Sequence, residues 1–441
     1  MLIQFSVKNY RSFKEKATIS LVASNYDKET REFDNINYLE KFDLRVLKSA
    51  VIYGANASGK SKFIEAIMFM KHFALNSSKD TQKGDEIDVE SFKLNTSSEN
   101  EPSEFEVLFD FNNIIYRYGF EVNRTAVVAE WLYYKPKTKE VELFYRDFQN
   151  FDVHPKNFKK GNFAVKEKLI RDNSLLLSLA AQLNDTVATS IIDWFRRFKT
   201  ISGLNEDGYQ GYTVGRTGTP EYKNKILELL KAADLGIQDL QLEILDVEKL
   251  PKEMPKDLKE KIIRESKEED TKYVSDILTS HKKYDSSKKY VSDVNFSFQN
   301  DESSGTQKFF ALTGPILDTL EKGNTLIVDE LDSKLHANLI CKIVSLFNSK
   351  ELNPNGAQLI FNTHDTNLLN TGLFRRDQIW FTEKDKYGES ILFSLADFKS
   401  DEVRKTEAFE ENYIRGKYGA VPFLGLFDNI TNNPLGEIVF K

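Results

Sequence analysis

The chain has 441 residues, a formal net charge of −7 and 40% hydrophobic content, enough for about two or three domains with sizeable cores. The negative balance argues against a globally basic nucleic-acid binder, although a local basic face stays compatible with it. No apolar run approaches the ~20 residues of a membrane span and the N-terminus does not read as a signal peptide, so a soluble, cytoplasmic protein without a membrane partner is expected.

The opening residues, MLIQFSVKNYRSF, read as a strand. Ser49-Ala50-Val51-Ile52-Tyr53 is a second apolar, β-prone run. It leads into Gly54, Ala55, Asn56, Ala57, Ser58, Gly59, Lys60 and Ser61, which fit G-x-x-x-x-G-K-[ST], and Phe63 to Met68 follow at helical spacing. A strand, a glycine loop and a helix N-terminus bring backbone N–H groups and the positive end of a helix dipole onto a phosphate chain. Lys60 would reach the β- and γ-phosphates, and the Ser61 hydroxyl would ligate Mg²⁺. A nucleoside triphosphate is the expected ligand.

Ser103 to Glu121 alternates with period two on both sides of Asn112-Asn113 and predicts a hairpin. Ala126 to Arg146 predicts another strand pair, rich in Trp131, Tyr133, Tyr134 and Phe144. These aromatics read as the packing of a β-subdomain, with base stacking as the alternative. From 151 to about 294 the pattern turns helical, with apolar clusters from Leu175 to Phe198 and an apolar stripe from Glu221 to Leu230. Pro251 to Lys289 is rich in charge and short of core residues, which predicts a mobile surface arm. Its lysines (Lys252, Lys256, Lys259, Lys261, Lys267, Lys272, Lys282, Lys283, Lys288, Lys289) either dock a DNA backbone or acidic partner, or form a solvated face. The interspersed acids favour the solvated face.

Glu302-Ser303-Ser304-Gly305-Thr306-Gln307 precedes the helical pattern Phe309-Phe310-Ala311-Leu312. A small-residue turn opening a helix is an anion-binding nest. It is also a plain N-cap, with Ser303 or Ser304 capping and Gln307 closing the box. Thr325 to Glu330, TLIVDE, is an apolar strand ending in two acids. Behind a phosphate loop, Asp329 would hold the Mg²⁺ shell, and Glu330 would orient and deprotonate an attacking water. Asp-Glu favours a hydrolase over a kinase or small GTPase. The single cysteine, Cys341, excludes an internal disulfide, fits a reducing compartment and reads as packing. Gln358 to Asp365 is a buried-type strand ending in His364, either a structural histidine or a γ-phosphate contact at the C-terminal end of a strand.

The order GANASGKS, ESSGTQ, TLIVDE and a strand ending in His364 resembles the ABC-type ATPase heads of the SMC, RecF and OLD group. Phe5 to Phe13 is similar to the first strand of those heads, where an arginine such as Arg11 lies near the nucleotide. A closer resemblance is to stand-alone bacterial defence ATPases of the RloA, AbiLi and PARIS AriA type. It is carried by NSLLLSLAAQ (Asn173 to Gln182), DSKLH (Asp332 to His336) and NYIRGKYGAVP (Asn412 to Pro422), and spans residue 1 to about 425.

The resemblance implies an α/β phosphate-loop fold with an ABC-type head, built of a mixed central sheet, an antiparallel β-subdomain and an inserted helical lobe. Residues 1–150 and 295–441 would form the two halves of the head, and 151–294 the lobe, with its charged arm at 251–289. It implies ATP and Mg²⁺ as cofactors and a homo-oligomer, a dimer or larger. Ser303, Ser304, Gly305 and Gln307 of one protomer would complete, in trans, the site built by Lys60, Asp329 and Glu330 of another. Asp332 would lie in the loop between the two sites, and His364 would report the γ-phosphate. The usual signature has two adjacent glycines, whereas here only Gly305 is present. Gln82 is available as a glutamine-loop residue, in poor context.

No long heptad arm and no hook with paired cysteines separates the halves, and the roughly seventy residues after His364 are too few for a TOPRIM nuclease domain. The resemblance therefore implies a switch that controls a separately encoded protein effector, a nuclease or toxin, in an anti-phage (abortive infection) module. The arm and the segment after Ser400 are its candidate partner surfaces. The alternative is a RecF-like DNA-repair ATPase, for which DNA is the partner. About 240 residues between phosphate loop and signature disfavour a transporter motor.

Overall fold

A computed structural model describes residues 1–25, 29–245, 250, 254–268, 273–399 and 407–422. Lys252, Lys272, the side chain of Lys267, residues 400–406 and residues 423–441 lie outside the described residues. The chain forms two compact units. The first comprises Leu2–Glu32, Ile36–Arg196 and the described part of Asn362–Lys441, and the second is mainly Arg197–Phe361.

In the first unit, seven antiparallel strands run in the order Asn150–Val153, Val141–Asp147, Val127–Lys135, Ile114–Val122, Ser103–Phe111, Leu2–Lys8 and Ala17–Ser20. Period-two burial drives them: Phe105, Val107 and Phe109 are buried while Glu104, Glu106 and Leu108 are not. The expected hairpin turns at Asn112 (φ 53°) and Asn113 (φ 58°), with Phe111 opposite Ile114. Asparagine tolerates this left-handed backbone, and two such residues in a row give the turn whose twist matches the strands. The aromatics pack as expected for a β-subdomain. Trp131 Nε1 donates to Glu106 at 2.8 Å, and Phe144 lies 5.1 Å from Phe158.

This sheet carries the helix Lys60–Asn76 through ring contacts. Phe69 sits 4.9 Å from Phe105, and Phe73 sits 5.5 Å from Phe120. The strand Ser49–Gly54, buried along its whole length, enters that helix. It pairs in parallel with Ile379–Lys384, which in turn pairs antiparallel with Ser390–Ser394.

The NSLLLSLAAQ stretch ties sheet to helix. Glu130 and Arg146, both fully buried, approach to 3.7 Å. Glu130 accepts the N–H groups of Leu176 (2.7 Å) and Leu177 (3.0 Å) at the start of the helix Leu176–Gln182, as well as the Tyr118 hydroxyl. Arg146 donates to the carbonyls of Ser174 and Phe148, each at 2.6 Å. Ser178 Oγ and Gln182 Nε2 then reach Ser78 Oγ, both at 2.7 Å, just past the end of the Lys60–Asn76 helix. Burial pushes the Glu130 carboxyl above its ordinary range and the Arg146 guanidinium below its own.

In the second unit, Lys199–Ser202, Thr325–Asp329 and Gln358–Asn362 are parallel strands bonded in that order. The helix Ser304–Lys322 packs on Asp207–Thr217, where Thr213 Oγ1 donates to the Ala311 carbonyl at 2.6 Å. The segment expected to be helical carries Pro220–Ala232 as anticipated, with Ile226, Leu227 and Leu230 buried. It departs from expectation further on. Ile237–Ile244, Val274–Tyr284 and Tyr290–Ser297 form a three-stranded antiparallel sheet, and Val274–Tyr284 is its central strand. Residues 273–289 are therefore not an arm without core residues: Ile277 and Thr279 are 4% and 0% exposed. The tip around Lys282, Lys283, Lys288 and Lys289 stands in solvent. No helix among the described residues is long and apolar enough to cross a membrane.

Truncating one member of a buried pair strands the other's charge. Glu130→Ala is expected to lower the unfolding free energy by about 3–5 kcal/mol in a urea titration. Adding Arg146→Met should recover part of that loss; a single-mutant cost under about 1 kcal/mol would contradict the pair's role.

Candidate nucleotide site

The strand Ser49–Gly54 ends where its backbone turns, at Gly54 with φ 154°. Ser58 and Lys60 are buried, whereas Asn56 and Ala57 face solvent. Ser58 Oγ lies 2.6 Å from Thr382 Oγ1 on the neighbouring strand, which fixes the loop from one side. Lys60 Nζ folds back over the loop and donates to the carbonyls of Gly54 (2.7 Å) and Ala55 (3.0 Å). Both carbonyls are neutral, so they leave the ammonium's positive charge uncancelled.

The loop fits a phosphate group. Gly59 has φ 116°, and a Cβ there would meet Ser390 Oγ at 2.7 Å and Ser12 Oγ at 3.0 Å. Both hydroxyl oxygens are buried and have no hydrogen-bond partner. Two unsatisfied donors beside a left-handed glycine at a helix N-terminus suit an oxyanion. Ser61, half-buried in the first turn, could add a cation ligand.

Arg11 is held by two carboxylates, next to Ser12, whose Oγ lies 3.0 Å from a Cβ built on Gly59. Its guanidinium lies 2.9 Å from Glu90 and 3.9 Å from Glu65, the latter on the Lys60–Asn76 helix. Gln82 is exposed past that helix, and its carbonyl accepts from Asn173 Nδ2 at 2.7 Å. His364 follows the buried strand Gln358–Asn362 and Thr363, and is exposed.

In the second unit, Ser303 is the N-cap of Ser304–Lys322, its Oγ accepting the Thr306 N–H at 3.1 Å. Gln307 does not close a capping box. It lies one residue past the position that would, and its amide instead donates to the carbonyls of Phe298, Gln299 and Glu302. Ser303 and Ser304 are exposed. Gly305 is needed where it stands, because a Cβ would lie 2.8 Å from the Lys334 carbonyl oxygen.

Asp329 ends the strand Thr325–Asp329, its carbonyl accepting the Gly203 N–H at 2.6 Å. Glu330 follows with φ 55°, a left-handed conformation that costs a non-glycine residue roughly 1–2 kcal/mol. Lys308, on the helix Ser304–Lys322, holds this turn. Its side chain is fully buried, and Nζ donates to the carbonyls of Glu330 (3.2 Å), Leu331 (3.1 Å) and Ser333 (2.5 Å), thereby enclosing Asp332. Three ammonium protons meet three carbonyls. Burial pushes Lys308 down to about 8, against the pull of Glu206, Asp332 and Glu330. Sequence reasoning passed over Lys308; the available signal was a lone lysine entering the apolar run Phe309 to Leu312.

A strand, a glycine loop with its lysine and a helix define a phosphate-loop nucleotide-binding protein. Residues 49–370 match the family described as "AAA domain, putative AbiEii toxin, Type IV TA system", and the chain belongs to that family of AAA-type ATPases. Among solved structures the chain is similar to the SMC head domain from Thermotoga maritima, at 14% identity and a TM-score of 0.40 over 89% of this chain and 98% of that one. It is also similar to an SmcHead bound to the C-winged helix domain of ScpA, at 13% identity and 0.40 over 89% and 97%. No curated protein matches.

The Lys308 clamp acts on the backbone that carries Glu330. Lys308→Met is expected to slow ATP turnover by about 10- to 100-fold while leaving nucleotide affinity within about twofold, read by steady-state kinetics and a fluorescent ATP analogue. Equal turnover would refute the clamp. A lysine held below its ordinary value of 10.5 bears the full cost of its buried charge below pH 8. That cost is relieved between pH 8 and 10.5, so wild-type stability relative to Lys308→Met should rise across this interval in denaturant titrations.

Proposed function

We propose that this protein is an ATP-driven switch, the ATPase and sensor subunit of a bacterial anti-phage (abortive infection) system that controls a separately encoded nuclease or toxin. The observation that carries the ATP reading is the phosphate loop, with Lys60 drawn over Gly54 and Ala55 and two unpartnered hydroxyls beside Gly59. The family description, which names an Abi-type toxin and a toxin–antitoxin system, supports the defence setting. The motif order supports an ABC-type head of the SMC, RecF and OLD group, and NSLLLSLAAQ, DSKLH and NYIRGKYGAVP support the RloA, AbiLi and AriA grouping.

The residues take these roles. Lys60 binds the β- and γ-phosphates, Ser61 and Asp329 hold Mg²⁺ and its water shell, and Glu330 activates water. Mg²⁺ would supply charge neutralisation at the phosphates. Ser303 and Ser304, exposed at the N-terminus of a 19-residue helix, are free to meet a second protomer. There, with Gly305 and Gln307, they would complete its γ-phosphate site. Asp332 would belong to the inter-subunit loop, and His364 would sense the γ-phosphate. The working form is a cytoplasmic homo-oligomer.

A RecF-like DNA-maintenance ATPase is the second reading, favoured by the exposed Lys282, Lys283, Lys288 and Lys289 at one hairpin tip. DNA that stimulates turnover would select it.

Solution mass measured with ATP and Mg²⁺ tests the switch. Glu330→Gln should trap a dimer or larger assembly that Lys60→Ala cannot form. A mass indifferent to nucleotide in every variant would remove the in-trans role of Ser304 and Gly305.

A further inference from the structure

The NYIRGKYGAVP segment has no part in the chemistry above, yet it is packed against the phosphate loop. Tyr413, on the short helix Phe409–Ile414, is 6% exposed. Its ring stacks on Phe381 at 5.2 Å and lies 5.7 Å from Tyr53, the residue before Gly54. Its hydroxyl accepts the backbone N–H of Gly54 and donates to the Ala420 carbonyl at 3.1 Å. Burial pushes this phenol up to about 12, so it stays neutral and keeps the proton it donates.

The same helix holds the turn that follows His364. Glu410 accepts from Thr366 Oγ1 at 3.1 Å and from Asn370 Nδ2. Behind it, Glu407 gathers Asn412 Nδ2 (2.9 Å), Lys417 Nζ (2.8 Å) and the Tyr418 hydroxyl (3.1 Å), which closes residues 407–420 on themselves. Tyr418 is 2% exposed and packs on Phe381 and Phe398.

We propose that residues 407–420 form a strap of the nucleotide site, in which Tyr413 is a positioning residue for the first glycine of the phosphate loop and Glu410 joins that glycine to the His364 turn. The inference rests on the ATP reading given above. Gly54 is gripped twice: its carbonyl by Lys60, and its N–H by Tyr413. An incoming triphosphate that draws Lys60 away releases the carbonyl, and the tyrosine then keeps the loop's entry in place. The stack on Phe381 and Tyr53 gives the hydroxyl a fixed direction.

Tyr413→Phe removes the hydroxyl and keeps the ring, while Tyr418→Phe removes a hydroxyl of the same strap that does not touch Gly54. With the full chain and a fluorescent ATP analogue, Tyr413→Phe should weaken binding by about three- to tenfold, the worth of one hydrogen bond. Its unfolding temperature should stay within about 2 °C of wild type, and Tyr418→Phe should bind like wild type. Wild-type affinity in Tyr413→Phe would overturn the inference. So would equal losses in both variants that follow their unfolding temperatures, since that pattern marks a purely structural strap. A wild type that binds no analogue, or binds it as well as Lys60→Ala does, would sink the ATP reading and the strap's role with it.

Discussion

A side chain on Gly54 would have its Cβ 2.4 Å from the Thr382 carbonyl oxygen and 2.5 Å from both Ser58 Oγ and Thr382 Oγ1. The phosphate loop can take its shape only because nothing is there. That absence lets the strand Ser49–Gly54 lie flush against Ile379–Lys384, with Val51 opposite Ile379 and Gly54 opposite Thr382. It lets Ser58 and Thr382 share a proton, and it brings Tyr413 to the Gly54 N–H. The loop is thus shaped from behind, by packing, and a nucleotide has little left to order on arrival.

Buried charge serves a common purpose in the two units. Lys308 gives its three protons to backbone carbonyls around Glu330. Glu130 takes the first N–H groups of the Leu176–Gln182 helix, and Arg146 takes the carbonyls just before it. Each charge is spent on peptide groups of an irregular turn, where neither helix nor strand supplies partners. Hydrophobic replacements would pack as well but would leave those turns undefined.

What could be read from the sequence followed from local rules. Asn112-Asn113 announced its hairpin because both residues must enter the left-handed region, and the phosphate loop announced itself through glycine spacing and its flanks. Asp329 and Glu330 stood out at the end of an apolar strand. The strand Val274–Tyr284 did not, because its lysines cluster at one end and hide the alternation of Ile277 and Thr279. The partners of Arg11 and Gln307 were out of reach for another reason: Glu90 and the Phe298 carbonyl are chosen by tertiary packing, which residue spacing does not encode. Lys308 was hidden by its type, since a fully buried lysine is rare enough that a lone one is read as surface.

The parallel partner of the phosphate-loop strand also sets a time. Gln378 Nε2 reaches the Ser49 hydroxyl across 329 residues of chain, so a ribosome adding ~5–20 residues per second needs roughly 15–65 s between making one strand and making its neighbour. The aromatic hairpins are complete early in that interval. The glycine loop, the first recognisable motif in the chain, waits across that whole interval for its native support, and competence to hold nucleotide follows the making of Ile379–Lys384.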